Sequence, residues 1–115
     1  MHYPVEIALR GIPPSSALEH YIGEEARKLD GICGRIVSCQ AVAEWLQREQ
    51  TQGAQFAVRL IVTLPGTEVV VNREHDDVYI AVRDTFAAAG LQLKDHMRRH
   101  GIESRPRNGA RDSRS

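Results

Sequence analysis

The sequence predicts an α+β protein, a two-layer sandwich of order β-α-β-β-β-α. Three observations lead there. Stretches 3–10 and 55–64 alternate apolar and polar residues with the period of a half-buried strand. Stretch 76–100 instead repeats apolar residues at three- and four-residue steps, the period of a helix. Breaks at Gly11-Ile12-Pro13-Pro14, Asp30-Gly31 and Pro65-Gly66 divide the chain into elements of ordinary length. A strand, a helix and a second strand in sequence favour a right-handed crossover and parallel pairing. Short turns afterwards favour antiparallel neighbours. The expected sheet is mixed and four-stranded, in order 1-2-3-4, with both helices on one face.

Taken in order, Tyr3, Val5, Ile7 and Leu9 point one way in the first strand, and Glu6, Ala8 and Arg10 the other. Pro4 cannot donate to a ladder, so it belongs at an edge or a strand start. Ser16-Ala17-Leu18-Glu19 fits a capping box opening the first helix, with Leu18, Tyr21, Ile22, Ala26 and Leu29 as its apolar stripe. Residues 36–46 read as a second strand and 67–74 as a fourth. Asp76 and Asp77 suit the N-terminus of the last helix, and His96, Arg98, Arg99 and His100 its C-terminus. Its stripe is Tyr79, Val82, Phe86, Ala89, Leu93 and Met97. Gly90 is its weak point, costing about 1 kcal/mol relative to Ala. The expected core includes Phe56, Val58, Leu60, Val62, Val82, Phe86 and Leu93.

At 115 residues the chain is one domain, residues 1–100, followed by a tail at 101–115 rich in Arg, Ser and Gly that is expected to be disordered. Net charge is zero, with 15 basic and 15 acidic residues. The total conceals an asymmetry: residues 1–75 carry 7 Lys and Arg against 9 Asp and Glu, whereas 94–115 carry 7 against 3. The C-terminal end is the basic pole. No apolar run approaches the length of a membrane span, and the first residues do not read as a signal peptide. Cys33 and Cys39 fit no zinc or redox spacing and read as reduced thiols of a cytosolic protein. Cys33 falls in an expected exposed loop near Arg35; Cys39 reads as a small buried hydrophobe.

His96 and His100 have the spacing of two zinc ligands on a helix. Met97 stands where a metalloprotease helix carries its glutamate, and no third ligand is evident. Phosphate-loop, nucleophile-elbow and paired-carboxylate patterns are absent from the sequence. A binding protein is therefore expected rather than an enzyme, with no cofactor, metal or small-molecule substrate. Tyr79 reads as a stripe tyrosine with its hydroxyl at the rim, with base stacking as the alternative. Trp45 ends a strand beside a polar loop, where it can pack or stack.

Over residues 3–100 the chain resembles the ribosome-hibernation family, the short ribosome-associated inhibitors also called sigma-54 modulation proteins. The residues that carry this are Asp77-Val78-Tyr79 with Ala81-Val82, then Gln92-Leu93 and His96; in the first helix they are Ala17-Leu18, Tyr21-Ile22, Lys28-Leu29 and Arg35-Ile36. The resemblance implies the same fold. It also implies a cytoplasmic stress-response protein that binds the small ribosomal subunit near the decoding centre and blocks the mRNA/tRNA channel of idle ribosomes. Lys28, Arg35, Arg83, Lys94, Arg98 and Arg99 are the expected rRNA contacts. Glu25 and Ala88 stand where family members often carry lysine, and Glu24 adds negative charge. The alternative is a small protein-interaction or regulatory domain of the same fold with weak or no ribosome binding. A continuous basic stripe across the two helices favours RNA; patches broken by Glu24, Glu25 and Asp95 favour the alternative.

Overall fold

The computed structural model describes residues 3–46 and 53–100. Its elements follow the predicted order: β1 (Val5–Arg10), α1 (Ser16–Asp30), β2 (Ser38–Trp45), β3 (Phe56–Leu64), β4 (Thr67–His75) and α2 (Val78–His100). The sheet runs β1-β2-β3-β4, with β1 parallel to β2 and the other pairs antiparallel. Both helices cover one face. The expected tail at 101–115 lies outside the described residues.

Register explains the core. Val5, Cys39, Val62 and Val69 lie in one row across the four strands, and Ile7, Ala41, Leu60 and Val71 in the next. Alternation within each strand aims these rows at the helices. Leu18, Ile22, Ala26 and Leu29 of α1 meet them, with Val82, Phe86, Ala89, Leu93 and Met97 of α2. Small residues Ala41 and Ala43 in β2, both buried, leave room for the helix layer above. Thr85 is buried too, and its hydroxyl donates to the Ala81 carbonyl at 2.7 Å, so no polar atom there is stranded.

The ends are fixed locally. Pro65 presets one corner of the β3–β4 turn, and Gly66 supplies the other at φ 80, a left-handed conformation that L side chains resist. Pro4 sits just before the edge strand β1, and its carbonyl accepts from Cys39 N at 3.1 Å. Tyr3 is buried, and its hydroxyl donates to the Ala26 carbonyl of α1. Burial is the main cause that pushes the phenol pKa up.

Four sequence expectations need correction. The α1 cap is Ser15, whose Oγ accepts from Leu18 N at 3.1 Å; Ser16 is the first helical residue. Phe56 is only half-buried, at the sheet's end opposite Trp45 and His75. Tyr79 is 40% exposed and rests on Tyr21, ring centroids 5.3 Å apart. It belongs to the seam between the helices, while Ala81 and Thr85 fill the core positions of that turn. Cys33 is buried rather than exposed, since the loop after α1 turns back into the core.

Candidate nucleic-acid interface

Two helices laid side by side leave a groove along their outer seam. From α1 and the residue run after it come Tyr21, Glu25, Lys28, Leu29 and Ile32; from α2 come Arg83, Phe86, Ala87, Gly90, Leu91 and Lys94. The groove has a volume of 490 Å³. Arg83, Ala87, Gly90 and Lys94 recur at steps of four, three and four, so they form a second stripe beside the buried one. Gly90 opens this stripe. A Cβ there would stand 3.1 Å from Ile32 Cδ1, so glycine permits the close approach of the two segments. Its helix-propensity cost thus has a packing reason.

Lys28, Arg83 and Lys94 consequently converge on one concave surface with an apolar floor. Glu25 is the acid within it. Its carboxylate lies 3.0 Å from Lys28 Nζ, and that hydrogen bond, first among several causes, raises the lysine pKa. Arg83 leans on its neighbour Asp84 at 3.3 Å, an exposed contact of small energetic weight. Lys94 is exposed and makes no ion pair among the described residues. Glu24 faces Arg27 at 3.1 Å and His20 at 3.8 Å and does not line the groove.

The other three sequence-predicted cations lie elsewhere. Arg35 lines a small hollow with Cys33, Leu64, Pro65, His96 and Met97, at the C-terminal end of α2. Arg98 and Arg99 share one carboxylate: Arg98 Nη2 is 2.7 Å from Asp95 Oδ1, and Arg99 Nε is 2.9 Å from Oδ2. Arg99 and Asp95 also line a hollow against the start of β4. Lys28, Arg83 and Lys94 therefore line one groove, which Glu25 interrupts at Lys28, and Asp95 partly neutralises the basic end of the helix. Tyr21, Ile32 and Leu91 are groove residues that the sequence reading did not assign. The four-residue spacing of Arg83 with Ala87 and of Gly90 with Lys94 was the available signal.

Among the described residues no group of three or more His, Cys, Asp or Glu is placed to hold a metal, and no helix is long and apolar enough to cross a membrane. The His100 half of the two-histidine spacing lies outside the described side chains. Burial pushes the Cys39 thiol up to about 12, which keeps it protonated and unreactive.

Fold and groove together define a class: small α+β sandwiches whose helix layer presents a cationic seam. Residues 5–100 match the family model described as Sigma 54 modulation protein / S30EA ribosomal protein, and the chain belongs to that family. It is 26% identical over 92 residues to the ribosome hibernation promoting factor of Pseudomonas putida, a match covering 80% of this chain and 84% of that one. Two solved structures share the fold. One is the N-terminal domain of Thermus thermophilus Protein Y, with TM-score 0.67 and 20% identity, covering 79% of this chain and 94% of that one. The other is a ribosomal subunit interface protein from Coxiella burnetii, with TM-score 0.70 and 18% identity, covering 83% and 98%.

Proposed function

We propose that the protein is a cytoplasmic, non-enzymatic translation regulator that binds the small ribosomal subunit near the decoding centre and blocks the mRNA/tRNA channel of idle ribosomes under stress. The observation that carries this reading is the convergence of Lys28, Arg83 and Lys94 on the seam between α1 and α2. Cations set on two rigid helices can meet successive backbone phosphates without ordering a loop, and phosphate contacts fix orientation while the body of the domain occludes. Arg35, Arg98 and Arg99 extend the contact at the end of α2. Family membership and the hibernation-factor relative support the same partner.

Ribosome co-sedimentation across a salt series tests it, with thermal melts in parallel. Wild type should co-migrate with small subunits or whole ribosomes. Arg83→Glu/Lys94→Glu should stay folded, because both side chains are exposed. Loss of two phosphate contacts should lower the magnitude of the log–log salt slope by roughly 1.5–2 units. Arg98→Glu/Arg99→Glu should weaken binding less, since Asp95 already holds both guanidinium groups. A folded groove variant that binds like wild type at every salt concentration would remove the seam from the interface.

Two observations favour the second reading, a protein-interaction domain: Glu25 and Asp95 break the run of cations by pairing with Lys28, Arg98 and Arg99, and the groove has an apolar rim. Leu91 is 68% exposed on the rim of the same groove, beside an apolar floor. If wild type does not sediment with ribosomes even at low salt, that reading takes over.

A further inference from the structure

We propose that the outer edge of β4 is a self-pairing surface, on which a second copy of this chain adds its own β4 in antiparallel register to form one continuous sheet. Among the described residues no strand lies beyond β4. The two-residue turn fixes which of its backbone groups face outward. Val37 N donates to the Thr63 carbonyl at 2.7 Å, so Thr63 bonds on its β2 side. Thr63 and Glu68 are therefore an unbonded pair of the β3–β4 ladder. Alternation then turns the N–H and C=O groups of Glu68, Val70, Asn72 and Glu74 away from β3. The Arg73 guanidinium, which reaches round to the Asn72 carbonyl at 2.8 Å, marks that carbonyl as outward-facing.

This edge carries charge at Glu68, Arg73 and Glu74 but few of the other usual protections against pairing. It runs for nine residues, Thr67–His75, with unbroken register against β3 and neither proline nor lysine. The opposite edge, β1, has six residues and Pro4 before it. Val70 stands 39% exposed on the open sheet face, beside Ile61 in the same row. Next to the start of the strand lies a hollow of 640 Å³, walled by residues 65–70 and by Gln92, Asp95, His96 and Arg99 of α2. It leaves space alongside the outward backbone groups.

Self-complementarity selects the occupant and the register. A two-fold axis through Val70 sets Val70 against Val70, Glu68 against Asn72 and Thr67 against Arg73 of the second copy. Val69 then faces Val71, which extends the apolar row under the helices. No like charges face each other, and the outward groups of residues 68, 70 and 72 all find partners. Moving the axis to Val71 would oppose Glu68 and Glu74, a destabilising like-charge pair. The contact is isologous, so it closes at two subunits. The seam between α1 and α2 lies away from this edge and stays open.

Sedimentation equilibrium of the full chain across a concentration range tests the proposal. Wild type should show concentration-dependent dimers. Val70→Lys places two lysines on the axis, and should remain monomeric at concentrations where wild type is dimeric. Val70→Cys gives an independent readout should the lysine variant not fold. Opposed residues of a bonded antiparallel pair have Cα atoms about 5.5 Å apart, within disulfide reach. Mild oxidation should therefore link Val70→Cys into dimers and leave Glu74→Cys unlinked, because residue 74 faces Gly66. Cys33 and Cys39 are buried and do not compete. A wild type that stays monomeric at all concentrations overturns the proposal. So does a dimer indifferent to Val70→Lys, or equal linking of the two cysteine variants.

Discussion

Phe86 and Cys39 show how much a single side chain here carries. Phe86 is 3% exposed and lies between the α2 stripe and the α1–α2 seam. Phe86→Ala should destabilise by about 3–5 kcal/mol, from lost transfer energy plus an unfilled cavity, and urea unfolding should show it as a lower midpoint at unchanged slope. Cys39 sits in the row Val5–Cys39–Val62–Val69, where burial disfavours a thiolate. The folded protein holds that proton to about pH 12, whereas the unfolded chain releases it near the thiol's ordinary value of 9.0. Between those values the native state binds more protons, so stability falls as pH rises. The raised Tyr3 phenol acts in the same direction. Urea midpoints measured from pH 9 upward should decline, and less steeply in Cys39→Ala. A matching decline in that variant would place the alkaline sensitivity elsewhere. Residue-scale reading of the sequence failed where a side chain sits at an element's end. Phe56 has the right parity for the core but the wrong height on the sheet. Tyr79 has nearly the right helical angle but one turn's exposure at the seam. Periodicity reports direction and is silent about how far the covering layer extends.

At the scale of elements, the helix ends are set by named side chains. Asp77 Oδ1 accepts from Tyr79 N at 2.9 Å and Ile80 N at 3.3 Å, while its backbone carbonyl takes Ala81 N. Asp76 instead accepts from Gln55 N at 3.2 Å and ties the turn to the start of β3. The two adjacent aspartates, indistinguishable in the sequence, thus do different jobs. Asp77→Ala should cost about 0.5–2 kcal/mol, read as a drop in thermal midpoint. Asn at the same position, which keeps a side-chain acceptor, should recover most of the loss. All six elements were legible from periodicity and breaks, within one or two residues at most ends. The one-residue error at Ser15 has a simple origin: two serines in succession offer the same cap, and only the Leu18 amide's position selects between them.

For the whole molecule, the sheet order and the single covered face were readable because one helical crossover, one ten-residue connection and one two-residue turn leave few topologies. The groove was not. Lys28 lies far in sequence from Arg83 and Lys94, and their meeting depends on how α1 packs beside α2. Nor does sequence order say that Asp95 divides itself between Arg98 and Arg99. Charge counting places the basic pole at the chain's C-terminal end, where four of its seven cations lie outside the described residues, whereas within the described residues three cations line the groove at the middle of the helix layer. That difference is one of packing geometry, and only the folded register of the two helices settles it.

The parallel pairing of β1 with β2 also bears on the order of events in folding. The β2–β3–β4 meander is made of antiparallel neighbours, whereas Val5 meets Cys39 only after α1 has been spanned. Closing the longer loop costs more chain entropy before any contact is gained. β1 is also the shorter edge, held by one strand neighbour, α1 and the Tyr3 clasp on Ala26. It should therefore detach first and return last. Native-state hydrogen exchange should find the amides of Glu6 and Ala8, which the parallel register turns toward β2, opening at lower free energy than those of Leu60 and Val62. Tyr3→Phe should widen the gap, by releasing the clasp while leaving the meander whole.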